Sequence, residues 1–181
     1  MPRPLVVHAA ELLRRPGSER DVILAVAPEE LDIVDERLVP DTPIEVSLHL
    51  ESLSDGIVVR GSVSVVWQGV CRRCLRAVSE RDVANVHELY QVLVTDPDAF
   101  AVVGDLLDLV PMVREHALLS LPLSPLCRPD CAGLCPHCGL DLNEGSCDGA
   151  VAPRDDRWAA LDALRERLAV GDDTDEWSTG A

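Results

Sequence analysis

The chain of 181 residues contains no lysine: all 16 of its basic residues are arginines, set against 32 Asp and Glu, for a formal net charge of −16. Such a surplus repels a polyanion at long range, whereas proteins that live on phosphate contacts carry basic faces. Wholesale coating of nucleic acid is disfavoured and no DNA partner is expected. The charge serves solubility, or it attracts a basic protein partner. Aromatic residues are almost as scarce, at 3%, so the core must be built from Val, Leu, Ile and Ala, a composition that suits strands and short helices. No apolar run reaches the roughly 20 residues that a bilayer span requires, and residues 1–10 lack the basic, apolar and small-residue zones of a signal peptide. We therefore expect a cytoplasmic protein without a membrane partner. There is no Gly-rich phosphate loop, nucleophile elbow or paired catalytic motif, and His8, His49, His87 and His116 are scattered. An enzyme is not expected.

A chain of this length has room for one domain with a small appendage and can bury a core without disulfide staples. In residues 8–14, Ala9, Leu12 and Leu13 fall at helical spacing before Pro16-Gly17, which predicts a short opening helix. Residues 21–27 form a β-type run. In residues 44–50, Ile44, Val46, Leu48 and Leu50 alternate with polar partners, as in a sheet with one wet face. Ser54-Asp55-Gly56 signals a hairpin turn into a strand over 57–67. A further strand is expected over 83–94. Asp108 is placed to cap a helix over 109–119, with Pro111 in its first turn. The Pro-punctuated stretch from Leu121 to Pro125 then forces an extended segment leading to Cys127. The fold class expected is α+β: mainly antiparallel sheet, a few short helices, and a Cys-rich zinc-knuckle module near the C-terminus. By domain this means an α+β body at 1–126, the knuckle module at 127–150, a helix packing on the body at 151–170, and a disordered acidic tail at 171–181.

The seven cysteines carry the chemistry. A reducing compartment and an odd count favour metal ligands over disulfides. Cys71-Arg72-Arg73-Cys74 and Cys135-Pro136-His137-Cys138-Gly139 each hold two thiols at knuckle spacing. Such a turn offers two thiolates along one edge of the tetrahedron that zinc prefers, with backbone N–H groups turned toward the sulfurs. Gly139 permits the positive-φ turn that closes the second knuckle. Matched spacing predicts one shared structural zinc ion on Cys71, Cys74, Cys135 and Cys138. The difficulty is the 60 residues between Cys74 and Cys135, far beyond the roughly 15 to 20 of a compact ribbon. The competing arrangement is a local site on Cys127, Cys131, Cys135 and Cys138, leaving Cys71 and Cys74 with Cys147 or as a free dithiol. Arg72, Arg73 and Arg76 make the only dense basic patch, suited either to an RNA or acidic-partner contact or to offsetting thiolate charge. The extra thiols Cys127, Cys131 and Cys147 also admit a redox switch that ejects zinc on oxidation, and a rubredoxin-type iron carrier would reveal itself by colour.

Several segments together resemble the YceD family, the large ribosomal RNA subunit accumulation proteins. They are Arg14-Arg15-Pro16-Gly17, the stretch from Glu51-Ser52-Leu53 through Val59-Arg60-Gly61, Cys71-Arg72-Arg73-Cys74-Leu75, Leu121-Pro122-Leu123-Ser124-Pro125-Leu126-Cys127, the stretch from Cys131-Ala132-Gly133 through Asp141-Leu142-Asn143, and Pro153-Arg154. In order and spacing they cover nearly the whole chain. The resemblance implies a bacterial cytosolic protein that supports accumulation of large-subunit ribosomal RNA, with no established catalytic activity. It also implies a family often encoded beside a small zinc-ribbon protein of the large subunit. Its partner would be a large-subunit precursor, through rRNA, a basic ribosomal protein, or both. In proteobacterial members the first cysteine pair is kept while much of the later cluster is lost.

Overall fold

The computed structural model describes residues 5–147 together with Arg157, Leu161 and Leu164. Apart from those three residues, the expected terminal helix lies outside the described residues, and so does the acidic tail. The chain divides into two compact units, Met1–Gly133 and Leu134–Ala181. Cys127 and Cys131 thus belong to the first unit, and not to the cysteine-rich module that the sequence suggests begins at 127.

The first unit is α+β, as expected. Its strands and helices run β1 (Val6–His8), α1 (Ala10–Arg14), β2 (Glu19–Val26), a 3-10 turn (Pro28–Leu31), β3 (Ile44–Ser52), β4 (Ile57–Val70), β5 (Ala77–Gln91), β6 (Phe100–Ala101), β7 (Leu106–Asp108) and α2 (Val110–Ser120). Strands β2 to β6 form one sheet in sequence order, antiparallel apart from the short parallel β5–β6 pair. β1 and β7 make a separate two-stranded ribbon.

Alternation along β3 is what the sequence predicts. Ile44, Val46, Leu48 and Leu50 are buried, and Glu45 and Ser47 are exposed. Each such burial is worth about 1.5–3 kcal/mol. On β4, Val59, Val63, Val65 and Trp67 continue the same face, and Trp67 Nε1 donates to Asp82 Oδ2 across the hairpin at 2.7 Å. Helix α2 lies against β4 and β5 and buries Met112, Val113 and Ala117. The ribbon adds Val7 and Leu107 to the same core. Tyr90 stacks on Phe100 with ring centroids 5.1 Å apart. Burial holds the Tyr90 phenol well above its ordinary pKa, and its hydroxyl donates to the Asp108 carbonyl at 3.2 Å.

One position sets the β3–β4 approach. Gly61 faces Leu48 in the ladder and holds φ +146, and a Cβ there would stand 2.0 Å from the Ser47 carbonyl oxygen. Only glycine tolerates both the backbone conformation and the contact.

Two helices sit close to their expected places. α1 stops before Pro16, and Ser18 Oγ donates to the carbonyls of Leu12 and Arg15 at 3.2 and 2.7 Å. At the start of α2, Asp108 Oδ1 accepts the Val110 amide at 3.0 Å, which satisfies an amide that the helix itself cannot pair. The strand expected over 83–94 is instead β5, displaced toward the N-terminus. Its first half pairs with the end of β4, whereas Gln91 Oε1 accepts the amides of Thr95 and Asp96 and curls the chain out of the sheet. Val92, Leu93 and Val94 are left exposed.

Candidate metal centre

Strands β4 and β5 are the longest in the sheet, and their ladder closes at Val70 with Ala77. The connecting residues 71–76 are the first knuckle, so the sheet carries Cys71 and Cys74 at the tip of its central hairpin, as the sequence suggests. The Leu75 amide donates to the Cys71 carbonyl at 2.9 Å, and the Cys71 amide to the Arg76 carbonyl at 2.8 Å.

In the second unit the other pair repeats this turn bond for bond. The Gly139 amide donates to the Cys135 carbonyl at 2.9 Å, and the Cys135 amide to the Leu140 carbonyl at 2.8 Å. Gly139 has φ +75, the left-handed turn expected after the last cysteine, and Leu75 takes the equivalent φ of +60 despite its side chain. Two sequences with different residues inside the turn therefore adopt one backbone form. That form presents two sulfurs on the same side.

Cys127 and Cys131 are brought to the hairpin tip by the segment 124–131. The Arg72 amide donates to the Pro125 carbonyl at 2.9 Å, which docks the extended segment that the Pro-rich stretch predicts. The Arg72 guanidinium bonds Ser124 Oγ on the same segment. Arg73 Nη1 donates to the carbonyls of Pro129 and Cys131 at 3.1 and 2.9 Å. Two arginines of the basic patch thus fasten the 124–131 segment to the knuckle. Arg76 closes the turn through its carbonyl.

The result is a set of four sulfurs, from Cys71, Cys74, Cys127 and Cys131, all within 4.8 Å of one another. Among them, Cys71 and Cys131 stand 3.8 Å apart and Cys74 and Cys127 3.6 Å apart. Around zinc with Zn–S of about 2.3 Å, a tetrahedron has sulfur–sulfur edges of roughly 3.8 Å. These separations are far from the roughly 2.05 Å of a disulfide, and all seven cysteines are free. Cys71, Cys74 and Cys131 are buried. In the second unit a group of three forms: Cys135, Cys138 and Cys147 also lie within 4.8 Å of one another, with Cys138 and Cys147 3.5 Å apart.

Each unit gathers its own sulfurs. Cys71 and Cys74 group with Cys127 and Cys131, and Cys135 and Cys138 group with Cys147. The shared clasp and the local set of Cys127, Cys131, Cys135 and Cys138 would each draw ligands from both units, whereas these two groups each form within one unit. The three-residue gap between Cys127 and Cys131 looks too wide for a knuckle and is not one. A turn in which the Cys131 amide donates to the Arg128 carbonyl at 3.2 Å, together with the tertiary hydrogen bonds from Arg72 and Arg73, brings these two thiols in. Chain order held the available signal, since the first four cysteines form one group and the last three the other.

The donor sets suit a cation. Cys71 is lowered to about 6, first by the Cys74 amide and then, against desolvation, by the amides of Cys127 and Arg73. Cys127 is pushed up to about 12 by desolvation and by the sulfurs around it. For Cys74 the Arg76 amide favours the thiolate, but desolvation and the sulfurs of Cys71 and Cys131 outweigh it and the thiol is raised. Cys135 is lowered to about 7 by the amides of His137 and Cys138; the His137 amide lies 3.4 Å from its Sγ. Cys138 is raised, because the sulfurs of Cys147 and Cys135 and its own desolvation outweigh the Leu140 amide. Backbone amides thus prepare one thiolate in each group. Crowded sulfurs resist further ionisation unless a positive ion is shared among them.

Comparison with known proteins fits this picture. The family model described as "Large ribosomal RNA subunit accumulation protein YceD" matches residues 59–165, a span that takes in all seven cysteines. Uncharacterized proteins of Mycobacterium bovis and Mycobacterium tuberculosis are each 34% identical over 170 residues, covering 87% of this chain and 80% of theirs. An uncharacterized protein of Mycobacterium leprae is 32% identical over 149 residues, covering 77% and 68% respectively. No solved structure gives a significant match. No helix among the described residues is long and apolar enough to cross a membrane.

Proposed function

The chain belongs to the YceD family, and on that premise we propose that it is a non-enzymatic cytoplasmic factor supporting large-subunit ribosomal RNA accumulation and ribosome assembly, with a structural zinc ion on Cys71, Cys74, Cys127 and Cys131. The observation that carries the zinc assignment is the convergence of four sulfurs within 4.8 Å of one another, two of them, 60 positions apart in the chain, at 3.8 Å, close to a tetrahedral edge. Four protein thiolates fill the coordination of zinc and leave no position for substrate, which is the signature of a structural site. The ion's work would be mechanical. It would lock the 124–131 segment onto the tip of the β4–β5 hairpin and so fix a surface at the end of the sheet.

The family description supports the ribosomal role, and the net charge of −16 suits a basic partner such as a ribosomal protein. Arg72, Arg73 and Arg76 stand around the knuckle, so an RNA contact there would be local and ordered by the metal. The test is a gene deletion in the native host, read by sucrose-gradient profiles and large-subunit rRNA levels. Large subunits should be depleted. Wild-type protein should restore them and a Cys74→Ser, Cys127→Ser double variant should not. Normal profiles and rRNA in the deletion strain would refute the reading.

A further inference from the structure

We propose that Cys135, Cys138 and Cys147 bind a second zinc ion whose fourth coordination position faces solvent and accepts an exogenous nitrogen or oxygen donor. The three sulfurs lie within 4.8 Å of one another, and the 3.5 Å between Cys138 and Cys147 is close to a thiolate–zinc–thiolate edge. Cys135 and Cys138 stand on a turn that matches the first knuckle in both of its backbone hydrogen bonds, and the His137 amide points at Cys135 Sγ. Such a turn in one unit, with its sulfurs gathered within the same 4.8 Å as those of the other, is built for the same kind of ion.

The difference lies in the fourth ligand. Among the described residues no further His, Cys, Asp or Glu joins the three. Asp141, three residues beyond Cys138, accepts the Asn143 amide at 2.9 Å in its own turn. Cys138 is exposed and Cys147 half-buried, so solvent reaches the group. Zinc held by three protein ligands completes its coordination with water or an incoming donor. Three thiolates supply enough negative charge to make such an ion a weak Lewis acid, so the position suits exchange with a partner's imidazole or with water better than it suits hydrolysis. This second site is independent of the ribosomal role and of the four-thiolate site.

The test uses the full chain loaded with zinc under reducing conditions and freed of loose metal. Two equivalents should be bound, one leaving rapidly to a chromogenic chelator and one slowly. Cys147→Ser and Cys138→Ser should each remove the fast equivalent only, with the circular dichroism of the sheet unchanged. In the cobalt-substituted protein, imidazole should shift the visible bands of the fast site. One equivalent in the wild-type protein, or a Cys147→Ser variant that keeps both, would overturn the second site. Cobalt bands that imidazole leaves unmoved would overturn the open position. If both serine variants fail to fold, the biphasic release from the wild-type chain still decides the matter.

Discussion

Replacing Gly61 with alanine should be among the most damaging one-carbon changes available in the sheet. The new Cβ would meet the Ser47 carbonyl oxygen at 2.0 Å and the Leu48 Cα at 2.9 Å, so β3 and β4 must part by more than an ångström in mid-ladder. Holding a non-glycine residue at a φ of +146 adds strain. Strain of about 1–3 kcal/mol, overpacking of about 1–3 and one lost ladder bond of about 1 sum to about 3–7 kcal/mol. For a domain of this size that corresponds to a fall in Tm of roughly 10–20 °C. The comparison variant is Gly104→Ala. Gly104 also has positive φ, at +62, but open space around its missing side chain, so it should lose only the left-handed backbone cost of about 1–2 kcal/mol. Urea unfolding of both variants, with metal kept saturating, measures the difference. If Gly61→Ala loses no more stability than Gly104→Ala, the close approach of β3 and β4 is wrong, and so is the placement of the hairpin that carries Cys71.

Three further outcomes follow from the same geometry. Arg73→Ala removes two bonds to the carbonyls flanking Cys131, together about 1–2 kcal/mol, and should speed zinc loss from the four-thiolate site about tenfold in a chelator assay; an unchanged rate would show that Arg73 does not fasten the segment. Leu75→Gly should leave stability unchanged or raise it by up to about 1 kcal/mol, because an exposed leucine at φ +60 gives up left-handed strain that glycine avoids; Leu75→Val should destabilise, and the reverse order would refute the knuckle conformation. His49 is raised above its ordinary pKa, first by its hydrogen bond to Asp21, whose Oδ1 lies 2.7 Å from Nδ1. Its contribution to stability is therefore present below the unfolded histidine value and fades as pH rises through the folded one. NMR titration should show that elevation and its loss in Asp21→Asn; equal values in the two proteins would contradict the pair.

Much of this architecture was legible in the chain because it rests on local periodicity. The alternation at Ile44, Val46, Leu48 and Leu50, the Ser54-Asp55-Gly56 turn and the stop at Pro16-Gly17 each act within a few residues, and the structure agrees with them. The ribbon of β1 and β7 was not legible, since three-residue strands have no period to read and exist only through each other. The offset of β5 has a similar cause. Its first half, from Ala77 to Asp82, is polar and mostly exposed and becomes strand because β4 extends far enough to pair with it. At the metal centre, Cys71 with Cys74 and Cys135 with Cys138 are visible as turns. Their companions are not, because Cys127 and Cys131 arrive through hydrogen bonds from Arg72 and Arg73, and sequence spacing does not encode those bonds.

The central claim is that Cys71 and Cys74 share their metal with Cys127 and Cys131. Zinc bound per chain, measured on purified Cys74→Ser, Cys127→Ser and Cys138→Ser variants and on the Cys74→Ser, Cys127→Ser double variant, tests it most directly. The account predicts that Cys74→Ser and Cys127→Ser each lose the same slow-releasing equivalent, that the double variant loses no more than either single one, and that Cys138→Ser keeps it. Retention of that equivalent in Cys127→Ser, together with its loss in Cys138→Ser, would contradict the account and restore a clasp between the two knuckles.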